Sequence, residues 1–321
     1  MKTENYAPTR YGRVTSTNGE APCNDYDMGA IELYPNCEPQ NMFLHCSATR
    51  LICKAKEVAQ VVHPRTIASL TIRSAANLSR TFVTMNKGDV VVDPVELEAI
   101  FEQKRCLRSK VRKALKNMDP IQRSQEDNAI QNMVLESSWF KASKSLCAYI
   151  SSPALREVDT SRIVSDVLSS PAKERKKLYV PRVEDRNSNM KMLMISGVND
   201  LIEKSMNILE PALADSDGNK REDVMQASHP VDLFILPGLA FDKSGSRLGR
   251  SGGYYDLFLK NYQEFTKKRR WKQPLLVGLS YSVQIMEEGA IPVTPFDIPV
   301  HALVSPAGLT PISAAALRRC D

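Results

Sequence analysis

The chain comprises 321 residues, 42% hydrophobic and 25% charged, with a formal net charge of +6, which is enough for one sizeable α/β domain with additional segments. No apolar run approaches the length of a membrane span, so a soluble protein is predicted, and the modest positive charge suits an anionic small-molecule substrate or a targeting segment as well as nucleic acid. The seven cysteines include no C-x-x-C pair, which argues against a zinc site and a disulfide scaffold and indicates a reducing compartment.

The first 84 residues divide into two segments of different composition. Residues 1–41 carry Pro, Asn, Gly and acidic residues without hydrophobic periodicity, which predicts disorder. Residues 42–84 contain six Lys or Arg and a single acid, Glu57, a composition typical of a transit peptide. We therefore predict mitochondrial import, or a cytoplasmic protein if residues 1–41 mask the signal. A disordered basic linker is the alternative.

A single α/β catalytic domain is predicted over residues 93–321. Asp93 precedes Pro94 and is followed by Glu96, which combines an N-cap, a proline at the first helical position and an acid at the third. Asp119 and Pro120 repeat this start signal before a second helix that runs toward Leu135.

Short apolar segments then alternate with helical ones. The predicted strands are Leu146–Ile150, Leu178–Pro181, Met190–Ile195, Val231–Leu236 and Leu275–Leu279. Helices are predicted from Thr160 and from Tyr254 toward Phe265, and Ser216–Asp223 is predicted to be a loop. This alternation indicates a mostly parallel sheet with helices on both faces.

Between the Val231–Leu236 strand and the following helix lie the groups needed to bind a polyphosphate. Glycines allow backbone amides to face an anion, the helix N-terminus adds a positive dipole, and arginine adds bidentate contacts. These glycines and arginines are Gly245, Gly249, Gly252, Gly253, Arg247 and Arg250. Tyr255 and Asp256 stand where the loop becomes helix, so an aromatic face and a possible Mg²⁺ ligand adjoin the phosphates. A glycine-rich surface turn is the alternative.

The stretch PGLAFDxxGxRLGRxxGYYD resembles the signature of the 5-formyltetrahydrofolate cyclo-ligase family, also called 5,10-methenyltetrahydrofolate synthetases, including plant mitochondrial members. The resemblance extends from about Lys104 to Pro306 and is dense over residues 231–260. It implies a Rossmann-like α/β fold, related to those of sugar-phosphate isomerases and CoA transferases. It also implies a ligase that uses ATP and Mg²⁺ to convert 5-formyltetrahydrofolate into 5,10-methenyltetrahydrofolate. Ser251-Gly252 stands where the family usually has a Gly-Lys pair.

The resemblance also assigns roles to individual residues. It implies ATP binding by Lys104, Arg108, Arg247, Gly249, Arg250, Ser251, Gly252, Gly253, Tyr254 and Tyr255. It implies substrate binding by Ile150, Glu157, Met192 and Tyr255, a catalytic function for Tyr255, Arg247 and Arg250, and metal binding by Asp256 and Asp297. From the pattern alone, a solvated basic helix face is favoured for Lys104 and Arg108, and an exposed loop acid for Glu157.

Two other classes of function are compatible with parts of the sequence. A sugar-phosphate isomerase or CoA transferase on the same fold would require a general base or a glutamate nucleophile, and no convincing candidate is visible. A protein that binds nucleic acid through the first helix and Lys267–Lys272 would leave the glycine–arginine pattern unexplained. We expect a monomer acting on 5-formyltetrahydrofolate, with or without a polyglutamate tail, and no nucleic-acid or membrane partner.

Overall fold

The computed structural model describes residues 93–171, 175–204 and 208–320. The predicted disordered segment 1–41 and the transit-peptide-like segment 42–84 lie outside the described residues. None of the described helices combines the length and the apolarity needed to cross a lipid bilayer.

Three helices open the described chain: α1 (Pro94–Asn117), α2 (Pro120–Glu136) and α3 (Ser138–Ala142). The Asp93 carboxylate accepts a hydrogen bond from Val95 N at 2.9 Å. The Asp119 carboxylate accepts from Ile121 N and Gln122 N, both at 3.0 Å. Each aspartate thus satisfies backbone donors that the first helical turn leaves unpaired. The predicted starts of both long helices are confirmed.

The remaining elements alternate as predicted. The strands are β1 (Ser145–Ala148), β2 (Lys177–Val183), β3 (Met190–Ile195), β4 (Leu201–Glu203), β5 (Leu209–Pro211), β6 (Leu233–Leu236), β7 (Ala240–Asp242), β8 (Arg247–Leu248), β9 (Leu275–Leu279), β10 (Ile285–Met286), β11 (Ala302–Ser305) and β12 (Gly308–Pro311). The helices are α4 (Ser161–Ser169), α5 (Tyr254–Lys268) and α6 (Ala314–Leu317), and short 3₁₀ turns occupy Pro153–Leu155, Val198–Asp200, Val224–Gln226 and Ser282–Gln284.

Within the described residues, seven strands form the central sheet in the order β12-β11-β9-β6-β1-β2-β3. The inner pairs are parallel, whereas β12 and β3 add to the two edges in antiparallel orientation. The prediction of a mostly parallel sheet is confirmed. Strand β1 is buried along its whole length, as expected for a parallel strand covered on both faces.

Each face of the sheet has its own hydrophobic core. Leu146 and Ala148 of β1 belong to the core that includes residues of α1, α2 and α4. Cys147, between them, belongs to the core that includes Phe258 and Tyr262 of α5. Successive strand residues point to opposite faces, so helices cover both sides as predicted.

The connection from β6 to α5 is more elaborate than the predicted strand, loop and helix. Strands β7 and β8 pair in antiparallel orientation and, with β10, form a small separate sheet. Phe241 of β7 is fully buried, and a Cβ added at Gly238 or Gly278 would lie 2.6 Å from its ring. These glycines therefore provide space for an aromatic ring beneath the loop. Periodicity could not reveal this hairpin because its strands are only two or three residues long.

Candidate active site

The glycine loop, residues 249–253, connects β8 to α5 and contacts helix α1. Arg108 Nε donates a hydrogen bond to the Gly249 carbonyl oxygen at 2.9 Å, and Arg112 Nη2 donates to the Arg250 carbonyl oxygen at 3.3 Å. The residues joined in this way are 141 and 138 positions apart in the sequence. The fold thus brings the two elements with sequence-predicted phosphate-binding residues into contact.

The backbone of the glycine loop takes conformations that favour glycine. Gly253, at the N-terminus of α5, has φ +66°, and Ser251 has φ +108°. A Cβ added at Gly252 would lie 2.4 Å from the Tyr254 ring. Positive φ is strained for a residue with a side chain, so Ser251 occupies a position suited to glycine. Residues 251–253 are exposed, which leaves their backbone accessible to a ligand.

The tip of the β2–β3 hairpin supports the same loop. Ser188 Oγ donates to the Gly252 carbonyl oxygen at 2.5 Å, and Tyr254 Oη donates to the Asp185 carbonyl oxygen at 2.9 Å. Strand β3 carries Met192, a predicted substrate-binding residue. The hairpin therefore connects the predicted ATP-binding loop to the predicted folate-binding strand.

Two ion pairs lie side by side next to the loop. Lys104 Nζ donates to Asp297 Oδ1 at 2.7 Å, and Arg247 Nη2 donates to Asp256 Oδ1 at 2.8 Å. The two pairs are adjacent because Ile298 N donates to the same Asp256 oxygen at 3.1 Å. Lys104 and Arg247 are each only 4% exposed, so both cations are buried and neutralised by the two predicted metal ligands.

Asp256 and Asp297 differ in how many hydrogen bonds their carboxylate oxygens accept. Asp297 lies in a turn before β11, where its Oδ2 also accepts from Thr294 N at 2.6 Å and from Thr294 Oγ1 at 2.9 Å. Asp256 Oδ2 accepts no hydrogen bond within the described residues. No group of three or more His, Cys, Asp or Glu suited to a metal occurs in that part of the chain. Two neighbouring carboxylates nevertheless fit Mg²⁺, which proteins commonly hold through one or two carboxylates together with substrate phosphates.

Arg250 contacts Glu157, a residue predicted for the other substrate. Arg250 Nε lies 3.3 Å from Glu157 Oε1, and the Glu157 side chain is 10% exposed. Ser152 N donates to Glu157 Oε2 at 3.1 Å. Burial raises the pKa of the Glu157 carboxyl, while the Arg250 charge acts in the opposite direction. Glu157 is therefore a buried, paired acid rather than an exposed loop residue.

Tyr255 contacts Arg247 and is influenced by the charge of Glu157. The Arg247 guanidinium carbon is 5.6 Å from the centre of the Tyr255 ring, a distance typical of a cation–π contact. Burial, and then the Glu157 charge, raise the pKa of the Tyr255 hydroxyl, so the phenol remains protonated at neutral pH. This hydroxyl makes no hydrogen bond within the described residues and is free to donate one to a ligand.

The sequence did not reveal Tyr281 and Asp127, two residues that contact each other next to the Glu157 backbone. Tyr281 Oη donates to Asp127 Oδ1 at 2.7 Å and lies 2.9 Å from the Glu157 carbonyl oxygen. Asp127 Oδ1 also accepts from Asp159 N at 2.8 Å. Tyr281 is fully buried, and in sequence it follows an apolar strand, so the pattern offers nothing to distinguish it from an ordinary core aromatic.

The predicted apolar contacts to substrate have different surroundings. Ile150 follows the end of β1 and is half-buried, so it lies at the edge of the site. Met192 is 1% exposed and belongs to the core on the α5 side. Met190, on the same side of β3, is only partly buried. Met192 is thus a core residue, and Met190 is the more accessible of the two methionines.

Comparisons with known proteins agree with the observed fold. A model of the 5-formyltetrahydrofolate cyclo-ligase family matches residues 100–306. The mitochondrial 5-formyltetrahydrofolate cyclo-ligase of Arabidopsis thaliana is 61% identical over 69% of this chain and 80% of its own length. The Mus musculus 5-formyltetrahydrofolate cyclo-ligase is 29% identical over 63% of this chain and 92% of its own. The NMR structure of Aquifex aeolicus 5,10-methenyltetrahydrofolate synthetase matches with a TM-score of 0.51 and 30% identity, covering 65% of this chain and 92% of that one.

Proposed function

The chain belongs to the 5-formyltetrahydrofolate cyclo-ligase family, and from that premise we propose that it converts 5-formyltetrahydrofolate into 5,10-methenyltetrahydrofolate using Mg²⁺-ATP. The observation that supports the ATP requirement is the contact between α1 and the glycine loop, which brings cationic side chains of α1 next to those of β8 and the loop. Those side chains are Lys104, Arg108, Arg247 and Arg250.

The proposed reaction converts the formyl oxygen into a leaving group by phosphorylating it. A formamide carbonyl is a poor electrophile, so its oxygen attacks the γ-phosphorus of ATP and ADP departs with the electrons of the broken P–O bond. The neighbouring amine nitrogen then attacks the formyl carbon and loses its proton. Phosphate leaves with the former formyl oxygen, which completes the ring. This sequence requires positioning and charge stabilisation and no protein nucleophile.

The ion pairs of the site suit a metal–triphosphate ligand. Lys104 and Arg247 are buried with carboxylate partners, so an anion alone would have to compete with Asp297 and Asp256. A ligand that carries both phosphates and a divalent cation offers each group a new partner of opposite charge. Bound Mg²⁺ would be held by Asp256 and Asp297 and would neutralise phosphate charge. We propose that the backbone from Gly249 to Tyr254, including Ser251, lies against the phosphates.

On the folate side, we propose that Glu157 accepts hydrogen bonds from the pterin ring. A carboxylate suits the adjacent N–H donors of a pterin. Arg250, for which we propose phosphate binding, lies in contact with Glu157, which supports neighbouring positions for the two substrates. The Tyr255 hydroxyl would orient the formyl group, with Arg247 and Arg250 stabilising the transferred phosphoryl group. Ile150 and Met192 would provide apolar contacts. We propose that residues 93–321 act as one catalytic domain, in a monomer, on substrates with or without a polyglutamate tail.

Isotope transfer tests this proposal directly. With ¹⁸O in the formyl group and Mg²⁺-ATP present, we expect one phosphate and one ADP per methenyl product, with the label in the phosphate. Reactions without ATP, and reactions with EDTA, serve as controls and should show no ring closure above the uncatalysed rate. Ring closure at full rate without nucleotide, or label retained outside phosphate, would overturn the mechanism.

The location of the protein is a separate proposal. The Arabidopsis relative is a mitochondrial protein, and residues 42–84 are basic, so we propose that this segment directs mitochondrial import and is removed before about residue 93. A reporter fused to residues 42–90 should colocalise with a mitochondrial marker, and a fusion to residues 1–90 would reveal masking by the first segment. Diffuse cytosolic signal from the 42–90 fusion would reject the targeting role.

A further inference from the structure

A polar pocket lies between helix α2 and the start of helix α4, and no residue of the glycine loop lines it. Its volume is about 280 Å³, and three arginines line it: Arg123 from α2, Arg156 from the preceding loop and Arg162 from α4. We infer that this pocket binds a small oxyanion, a phosphate group or a short dicarboxylate. None of its lining residues belongs to the predicted ATP-binding or folate-binding sets.

Within the described residues, none of the three arginines forms an ion pair. The Arg123 guanidinium carbon lies 5.9 Å from the centre of the Tyr281 ring. Arg123 Nη2 donates to the Leu115 carbonyl oxygen at 2.8 Å, but its buried Nε has no hydrogen-bond partner. Arg162 Nη1 reaches only Asn128 Oδ1, at 3.5 Å. Arg156 makes no side-chain hydrogen bond to a described residue. Three guanidinium groups without carboxylate partners around one pocket favour an anionic ligand.

Two aspartates also line the pocket, but other donors already engage them. Asp159 accepts from Ser161 Oγ at 2.6 Å, from Ser161 N at 3.0 Å and from Ser151 Oγ at 2.9 Å. Asp127 accepts from Tyr281 Oη and from Asp159 N. Burial raises the pKa of the Asp127 carboxyl, while the Arg123 charge acts in the opposite direction. Neither carboxylate lies within ion-pair distance of any of the three arginines.

The size of the pocket limits the ligand. The pocket volume of about 280 Å³ lies at the lower end of the roughly 300–1,000 Å³ of pockets for drug-sized molecules and cofactors, so it has room for phosphate or a five-carbon dicarboxylate. Guanidinium groups bind phosphate and carboxylate oxygens through the same paired N–H donors. Both ligand types thus share one chemistry, and separate titrations distinguish them.

Isothermal titration of the full-length chain with inorganic phosphate, and separately with glutarate, tests the inference. Ionic strength is matched with chloride. The variants Arg156→Gln and Arg162→Gln should each weaken binding about tenfold, the loss expected for one charge-assisted contact. Arg318→Gln serves as the control, because Arg318 is exposed near the C-terminus and lines no part of the pocket.

Each outcome is decisive. Selective weakening of phosphate binding by the two pocket variants supports a phosphate ligand, and selective weakening of glutarate binding supports a carboxylate ligand. A built anion site should bind at least one probe with a Kd in the millimolar range, which corresponds to about 4 kcal/mol. If neither probe binds at concentrations up to about 50 mM, the inference is overturned. Phosphate binding that persists unchanged in Arg156→Gln and Arg162→Gln would do the same, since it would belong to the glycine-loop site. The test uses no folate or ATP, so its result is independent of the proposed function.

Discussion

Replacing Arg247 by alanine should destabilise the whole domain and not only weaken ATP binding. The Arg247 and Asp256 side chains are 3% and 19% exposed and are joined by a 2.8 Å hydrogen bond. At an effective dielectric constant of about 20, two unit charges about 4 Å apart attract each other by about 4 kcal/mol. Removing one partner of such a pair typically costs about 3–5 kcal/mol, because the other charge remains buried without compensation. We therefore expect the free energy of unfolding to fall by about 3–5 kcal/mol in Arg247→Ala.

Urea unfolding of four proteins measures this effect and its origin. The set comprises the wild type, Arg247→Ala, Asp256→Ala and the double variant. If the unpaired charge causes the loss, the double variant should be more stable than the sum of the two single losses predicts, by about 1–3 kcal/mol. Lys243→Ala is the control, because Lys243 and Glu287 form an ion pair at 2.8 Å with side chains 56% and 83% exposed. Its cost should be below about 1 kcal/mol.

Two results would refute the reasoning. One is an Arg247→Ala loss no larger than that of Lys243→Ala, which would show that the pair contributes no more than a surface contact. The other is strict additivity in the double variant, which would attribute the loss to packing around Arg247 and not to its charge.

Three further predictions concern the site. Arg108→Ala should raise KM for ATP about tenfold to a hundredfold with little change in KM for folate, because one charge-assisted contact is lost. Lys113→Ala is the control, since Lys113 is exposed on the same helix. Unchanged ATP kinetics in Arg108→Ala would show that Arg108 does not bind phosphate. Ser251→Gly should stay active, and its free energy of unfolding should rise by about 1 kcal/mol because the substitution relieves positive-φ strain. Loss of activity in this variant would instead show that the Ser251 hydroxyl is essential for binding a substrate. Because burial raises the Glu157 pKa above 4.5, the folded state binds this proton more tightly, and stability falls as the pH rises from 4.5 to the folded pKa. Glu157→Gln should flatten that part of the stability profile, and an unchanged slope would contradict the assignment.

Much of the fold could be predicted because its signals are local. The Asp-Pro starts of α1 and α2 act within one helical turn, and β3 and β9 begin and end where their apolar residues do. The prediction for β1 extended beyond its end, since apolar character continues to Ile150 while strand pairing stops at Ala148. Local pattern identifies residues that suit a strand but does not determine where the neighbouring strand ends.

The internal pairing of the site was beyond the reach of sequence patterns. The sequence marked Lys104, Asp297, Arg250 and Glu157 as ligand-binding residues, yet the structure pairs them with one another across 193 and 93 positions. Such contacts depend on how the sheet arranges distant segments. Tyr281 was missed for the same reason, because only the folded chain shows which backbone atom its hydroxyl reaches.

The pair between Lys104 and Asp297 also constrains the order in which the protein can mature during synthesis. Helix α1 emerges from the ribosome long before Asp297. The Lys104 ammonium group therefore has no carboxylate partner until Asp297 has been made, 193 positions later. A nascent chain that stops before this point carries an uncompensated charge at the place where α1 must dock, which opposes docking. Completion of the proposed nucleotide site is thus tied to synthesis of the chain as far as Asp297, and products truncated before this residue should fail to present a competent site.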